Sequence, residues 1–464
     1  MEKIIAQIIT ELAKKICQKV FSSEWKGLSE LVSWVKKECL KTAVAVVEEC
    51  IRAINQEFQE KKALRKELGL TVKEKNQKRE IVTELGTINI SRDCYWSKKE
   101  QRCVHPLDEL LGVERYERVD KAVKTKLVWA ASDKSYQKSA DEVTEGAVSR
   151  QTVRNAILTC KEDLEIQAPK EKRQTKELHI HADEDHVHMQ KAHKEKGKKN
   201  QMVPLVSVTE GSRPVCKGRN ETINPVHFVD KDFDPKGLWM SVEGYLLKAY
   251  KMEDVGIIYL HGDGGAWIKD GLSDFPNVIH VMDQYHSEKE IKRIDSLFPR
   301  KTAGWRLRET LRQNNLKKAK MIIESLESAT REAAVLDKLK GFSKYLENNW
   351  EALVRRYQGD LPGSCTEGQV SHVLSERFSR NPMGWSSEAL SKLSKVRIYR
   401  KNGGDPAEIL NRSPQKTTHA QYYEDALLED LGARLDWSVF EKQLPIYDTN
   451  SGTQRLIRAI GKAG

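Results

Sequence analysis

ELHIHADEDHVHMQ (residues 177–190) and VGIIYLHGD (residues 255–263) are the two stretches on which the fold turns. The first opens as a strand in which apolar and polar residues alternate up to Asp183. Asp185 stands two residues on, so strand parity puts both carboxylates on one face and does not choose between them. The second is a short apolar run ending at Gly-Asp, as expected of a buried central strand. VPLVSVTE (203–210) and NVIHVMD (277–283) read as further strands, and a Lys-rich turn at 194–199 separates the former from the first. The region from about 175 onward is therefore expected to be mixed α/β, entered through the charged, Pro-containing linker APKEKRQTKE (168–177).

Working outward, the period changes on both sides. From Glu288 to about Gln358 the chain reads as polar helices, clearest in NNLKKAKMIIESLESATREAAVLDKLKGF (314–342). LPGS (361–364) breaks the run, and a helix restarts at 367–378. On the amino-terminal side, residues 1–75 read as a helical region. Ile4, Ile5, Ile8, Ile9 and Leu12 form one stripe, and Val44, Val47, Ile51 and Ile54 lie on a second helix. GTINISRDCYW (86–96) alternates instead and marks a β-hairpin region over 76–118. Residues 404–464 carry little functional signal.

Composition narrows the partners. The chain has 464 residues, too many for one ordinary domain, and a formal charge of +11 spread along its length, which favours a polyanionic partner. No apolar stretch approaches the ~20 residues that span a bilayer, and charges interrupt the apolar run at the N-terminus, so neither a membrane protein nor a signal peptide is expected. Eight scattered cysteines without a C-x-x-C pair imply reduced thiols and a cytoplasmic setting.

Within 119–167, SYQKSADEVTEGAVSRQTVRNAIL (135–158) has the pattern of a helix-turn-helix. Ala140 and Val143 lie on a first helix, Gly146 marks the turn, and Ser149 caps a second helix carrying Val153, Ile157 and Leu158. In such a unit Ser149, Arg150, Gln151 and Arg154 would face the major groove.

Three separated carboxylate positions carry the chemistry. Phosphodiester cleavage uses two divalent cations ~3.5–4 Å apart, and magnesium takes a few hard oxygen ligands. Asp183 or Asp185 closes the first strand. Asp263 follows a buried strand among Gly262, Gly264 and Gly265, where glycine suits a sharp exit and the approach of a phosphate backbone. Glu367 opens a helix, with Thr366 and Gln369 at capping-box spacing. Two Mg2+ or Mn2+ ions are the expected cofactors. A zinc site built from His179, His181, His186 and His188 is the competing possibility, although the helical H-E-x-x-H arrangement is absent. Arg377 and Arg380 follow Glu367 on its helix and are candidate phosphate contacts.

ADEDHV (182–187), GDGGAWI (262–268) and TEGQVSHVLSERFSRNPMGWS (366–386) resemble the motifs of the Lre-two type of bacterial insertion-sequence transposases, formerly grouped as an uncharacterised protein family. The resemblance runs from the 86–96 hairpin to MGWS (383–386). It implies a ribonuclease-H-like α/β core split into 175–287 and 362–403 by a helical insertion over 288–361, with an Asp–Asp–Glu triad at Asp183, Asp263 and Glu367. Related Mutator-like enzymes carry a Cys- or Asp-x-x-His motif, which Asp283 and His286 match.

The resemblance further implies a nucleoid-associated enzyme that reads terminal inverted repeats and cuts and joins DNA as a dimer or higher oligomer. The alternatives are a ribonuclease-H-fold nuclease without strand transfer and a helix-turn-helix protein that only binds DNA.

Overall fold

The computed structural model describes residues 1–411 except 23, 192–199, 217, 218, 274, 300, 301, 360, 362–364 and 382, together with 421, 423–428, 432, 433, 435, 436, 438 and 439. The Lys-rich turn at 194–199 and nearly all of LPGS, 361–364, lie outside the described residues, as does most of the C-terminal region. The chain divides into two compact units. One holds Met1–Leu127, Tyr136–Val153 and Leu410–Gly464, and the other Val128–Ser135 and Arg154–Ile409.

In the first unit, helices α1 (Glu2–Phe21), α2 (Leu28–Glu60) and α3 (Lys62–Glu67) precede an antiparallel sheet of β1 (Leu70–Thr83), β2 (Gly86–Ser97) and β3 (Arg102–Val104). The helical region stops at Glu67 rather than near 75, because Gly69 adopts φ +68° and turns the chain straight into β1. The predicted alternation then places Ile88 and Ile90 beside Ile81, Ile51 of α2 and Leu107 of α4 (Pro106–Leu111). A second cluster joins Phe58 to Tyr95 and Val104. Asp108 of α4 is the common partner of Arg79 and Arg92, at 2.6 Å from the former, and so neutralises two guanidinium groups projecting from the sheet.

Helix α5 (Lys121–Ala131) leads to α6 (Tyr136–Thr144) and α7 (Arg150–Leu158), the two helices anticipated for 135–158. Glu145 and Gly146, at φ +50° and +83°, make the turn between them. Ser149 Oγ accepts from Thr152 N at 3.3 Å, as an N-cap should. Ser149, Arg150 and Gln151 are exposed and Arg154 is half-buried.

The second unit is built on a five-stranded sheet. Strands β4 (Glu177–His188), β5 (Asn200–Thr209), β8 (Val226–Phe228), β9 (Ile257–Gly262) and β10 (Val278–Met282) lie in the order β10-β9-β4-β5-β8, and β6 (Ser212–Cys216) and β7 (Arg219–Thr222) form a separate ribbon. β5 is antiparallel to β4 and to β8, whereas β9 runs parallel to β4 and β10 parallel to β9. One face of the sheet is apolar. Leu178, Ile180, Ala182, Val206, Val208, Ile258 and Leu260 pack against Leu238, Val242 and Leu246 of α8 (Pro235–Ala249), which Asp234 caps. The alternate residues of β4, namely His179, His181, Asp183 and Asp185, must therefore point to the opposite face.

After the short α9 (Ala266–Lys269) and β10, four helices follow: α10 (Gln284–Leu297), α11 (Ala303–Arg312), α12 (Leu316–Glu327) and α13 (Ala333–Gln358). Their apolar stripes meet in a core of their own around Ile291, Leu307, Ile323, Leu339 and Leu346. Helix α10 begins four residues before the expected 288, because Asp283 caps it by accepting from His286 N at 3.2 Å. The chain returns through α14 (Thr366–Val370), a π-helical turn at Ser371–Ser375, α15 (Glu376–Phe378) and α16 (Ser387–Lys401). No helix among the described residues is long and apolar enough to cross a membrane.

Candidate metal centre

β4 is longer than the sequence indicates, and the excess positions Asp183. The strand stays paired with β5 as far as His188, but its pairing with β9 stops at His181 opposite His261. Asp183 thus sits where β9 has left the sheet, beside the opening this creates. β10 ends next to the same gap, since Asp283 N donates to Gly262 O at 2.8 Å. His286 follows on the first turn of α10, and Glu367 on the first turn of α14.

These segments bring Asp183, His286 and Glu367 together, with one ligand atom from each lying within 4.8 Å of the others. His286 Nε2 is 3.6 Å from Asp183 Oδ2 and 4.0 Å from Glu367 Oε2. At those separations the imidazole is an ion-pair partner, and its Nε2 is buried without a hydrogen-bond partner. The Asp183 carboxylate beside it outweighs burial and holds the His286 pKa above its ordinary value; Asp283 and Asp263 add to the effect. Two carboxylates and an imidazole at this spacing, one edge of it carrying an unsatisfied nitrogen, fit a divalent cation. Glu367 is the most open of the three, with about half its side chain exposed.

Asp263 flanks the cluster without entering it. Its Oδ1 accepts from Gly265 N at 2.8 Å, while its charge acts on both His286 and Glu184. The glycines around it make the sharp exit anticipated, but the close approach they allow is of another kind. Gly264 has φ +86°, and a Cβ there would run into the Asn349 side chain of α13; a Cβ on Gly262 would lie 3.0 Å from Ala182 O and 2.9 Å from Ile268. They admit protein, so GDGG fits the edge of the sheet against the helical segment.

Asp183 and Asp185, alike in the sequence, separate in the structure. Asp185 is buried at 7% exposure, toward the Ser375 and Ser379 hydroxyls, and burial raises its pKa against their influence. It takes no part in the cluster. Asp283, 2% exposed, works as the cap that sets His286 in place. Arg380 is exposed, as a phosphate contact requires, but Arg377 is a correction. It is 3% exposed, donates from Nε to Ala131 O at 2.8 Å and lies 4.7 Å over the Trp385 ring, so it holds the unit together and cannot reach DNA.

The expected capping box is also replaced. α14 has Cys365 as N-cap with no side-chain cap bond, and Thr366 Oγ1 faces His181 Nδ1 at 3.1 Å instead. The same contacts leave His181 no nitrogen for a zinc ion. His181 uses its other nitrogen on Cys365 Sγ at 3.2 Å, and His179 Nδ1 bonds His261 Nε2 at 3.1 Å. Burial pushes His181 down to about 3, so it is neutral, and both of its nitrogens are occupied.

Three participants escape a reading of the sequence. Glu184 accepts from Trp267 Nε1 at 2.8 Å and has its pKa raised, by burial first and then by Asp263 and Asp183. His261 stacks at 4.7 Å on His181. Arg356 of α13 donates to Met282 O at 3.1 Å and meets His261 Nδ1 at 3.2 Å, tying the ends of β9 and β10 together. The signal for His261 was an imidazole at the end of an otherwise apolar run, and Arg356, beside Arg355, gave none.

Comparison with known proteins accords with one family throughout. The profile of an uncharacterised protein family, UPF0236, matches residues 21–412. A UPF0236 protein of Caldanaerobacter subterraneus subsp. tengcongensis is 34% identical over 407 residues, covering 86% of this chain and 84% of that protein. A second from the same organism is 34% identical, over 86% of this chain and 80% of its own length. A UPF0236 protein of Streptococcus gallolyticus is 22% identical over 74% of this chain and 76% of its own. The chain belongs to the UPF0236 family.

Proposed function

We propose that this UPF0236 member is a DNA transposase that cleaves and joins strands at a divalent-cation site formed by Asp183, Glu367 and His286, with Asp263 completing the ligand set. The observation that carries the reading is the meeting of Asp183, His286 and Glu367, residues from three distant segments, within 4.8 Å. A sheet of order β10-β9-β4-β5-β8, in which β4, β5 and β8 alternate in direction while β9 and β10 run parallel to β4, supports a ribonuclease-H-like core interrupted by the helices α10–α13. The exposed Ser149, Arg150 and Gln151 at the start of α7 support a helix-turn-helix reader of the element's ends, alongside the charge of +11. Support of another kind comes from a 33% identical Caldanaerobacter relative whose name joins eleven locus labels of one genome, as a mobile sequence would leave.

Divalent cations, when bound, activate the attacking oxygen and stabilise the leaving oxygen at the scissile phosphate. The chain's own groups do the rest. Asp183 is held on the central strand, Glu367 approaches from the solvent side, and His286 would add its imidazole nitrogen as the third ligand. Hydrolysis of one strand at each element end releases a 3′-hydroxyl, which then attacks target DNA in line and expels a new 3′-oxygen, without a nucleotide cofactor. Two ends cut together call for a dimer or larger assembly.

The test is an excision assay on a plasmid carrying a marked element with its inverted repeats, alongside cleavage of an end oligonucleotide in Mn2+. Excision and joining are expected; cleavage without joining would reduce the protein to a nuclease, and binding alone to a DNA-binding protein. In the same assay Asp185→Asn, which keeps the size of the side chain and its serine neighbours, is expected to cleave within about fivefold of the wild type, a change of under ~1 kcal/mol in the barrier. A loss comparable to that of Asp183→Asn would move the first ligand to Asp185.

A further inference from the structure

Glu367 is the most exposed member of the cluster and stands on the shortest support. α14 has five residues, and its N-cap Cys365 supplies no side-chain bond to the helix's free N–H groups. The start of that turn is also held from the sheet. His181, on the same face of β4 as Asp183 and two residues before it, has its ring wholly buried between the two residues preceding Glu367: Nδ1 lies 3.1 Å from Thr366 Oγ1 and Nε2 3.2 Å from Cys365 Sγ. His261 stacks on the ring at 4.7 Å.

The far end of the same segment returns to β4 as well. Trp385 N donates to His188 O at 3.0 Å, and Gln190 N to Trp385 O at 2.9 Å. Residues 366–385 are thus pinned to the strand that carries Asp183, in front through a side chain and behind through the backbone.

We propose that His181 and Thr366 form a clasp that positions Glu367 against Asp183. The proposal rests on the reading of this cluster as a metal site. His181 is a positioning residue in it, since both of its ring nitrogens are engaged and neither can reach an ion. The clasp acts through orientation: without the Thr366 hydroxyl, α14 keeps its helical fold but loses its register on the sheet, and the Glu367 carboxylate spreads over positions in which it no longer shares an ion with Asp183.

The probe is Mn2+ alone, titrated into the purified full-length chain and followed by electron paramagnetic resonance. The site to follow is the bound Mn2+ that Asp183→Asn removes. Thr366→Val keeps the shape and deletes the hydroxyl, and it is expected to weaken that site about tenfold, the usual scale for groups that orient a metal ligand. Thr366→Ser is expected to restore it, and His181→Asn to weaken it like Thr366→Val. Thermal melting of the Thr366 variants should match the wild type. Mn2+ binding by Thr366→Val equal to the wild type overturns the clasp. If Asp183→Asn and Glu367→Gln remove no Mn2+ site at all, the metal reading itself falls. Loss in those two but not in Thr366→Val overturns only the clasp.

Discussion

Asparagine in place of Asp183 is expected to slow DNA strand cleavage about a thousandfold or more while element-end binding stays within about twofold. The size follows from what the carboxylate does. Neutralising charge at the scissile phosphate is worth several kcal/mol, and each ~1.4 kcal/mol is a factor of ten in rate. Asparagine fills the same space and leaves Oδ1 free to accept from Glu184 N, the 2.8 Å contact Asp183 makes now. It takes a negative charge away from the DNA path, so binding can only be helped electrostatically. Glu367→Gln should behave alike. Asp263→Asn is the more informative comparison, since Asp263 stands beside the three-residue cluster rather than within it. A thousandfold loss there too would mean that it closes onto the ions once DNA is bound. Single-turnover cleavage in Mn2+ and a gel-shift titration of the same preparations measure the two halves. Cleavage by Asp183→Asn within tenfold of the wild type would remove the mechanism.

Much of the architecture was legible in the chain, for identifiable reasons. Four of the five sheet strands announced themselves because each is either apolar throughout or alternates. β8, three residues long, had no length over which a period could register. The helices of 284–358 were legible because they bury a stripe apiece in a core of their own. What a one-dimensional pattern cannot carry is depth. Asp183 and Asp185 share a strand face, and only the point at which β9 departs decides which of them meets the opening. Arg377 and Arg380, three apart on one run, differ in the same way: the first turns inward onto Trp385 and the second outward. Glycines 262 and 264 were read as room for a ligand, yet a side chain from 85 residues further on occupies the space beside Gly264. His286 entered through the family resemblance; its imidazole was placed by a cap, Asp283, that local spacing does allow one to anticipate.

Replacing Arg397 with alanine is expected to destabilise the second unit by about 3–5 kcal/mol, from three carbonyls that lose their donor at roughly 1–3 kcal/mol each. Arg397 is 2% exposed on α16 and donates to four acceptors at once: Val373 O, His372 O at 2.8 Å, Ser132 O at 2.8 Å and Asp133 Oδ1 at 2.5 Å. Asp133 and, at 3.8 Å, Glu376 supply its countercharge. Alanine leaves three carbonyls facing a cavity, and each must find water or stay unpaired, while Asp133 keeps Arg400 at 2.8 Å. Two of those carbonyls belong to the π-helical turn Ser371–Ser375 directly behind Glu367. A π turn closes a wider ring than an α-helical one, and two of its carbonyls here accept from an outside donor. Arg397 is that donor. The urea midpoint of the second unit should therefore fall in Arg397→Ala, and Mn2+-dependent cleavage should fall before unfolding begins, because the turn that carries the Glu367 helix loosens first. Arg397→Lys retains the charge but can satisfy fewer of the four acceptors, and should land between the two. A midpoint shift worth less than about 1 kcal/mol would show that water takes over those carbonyls at little cost, and that the turn behind Glu367 holds its shape unaided.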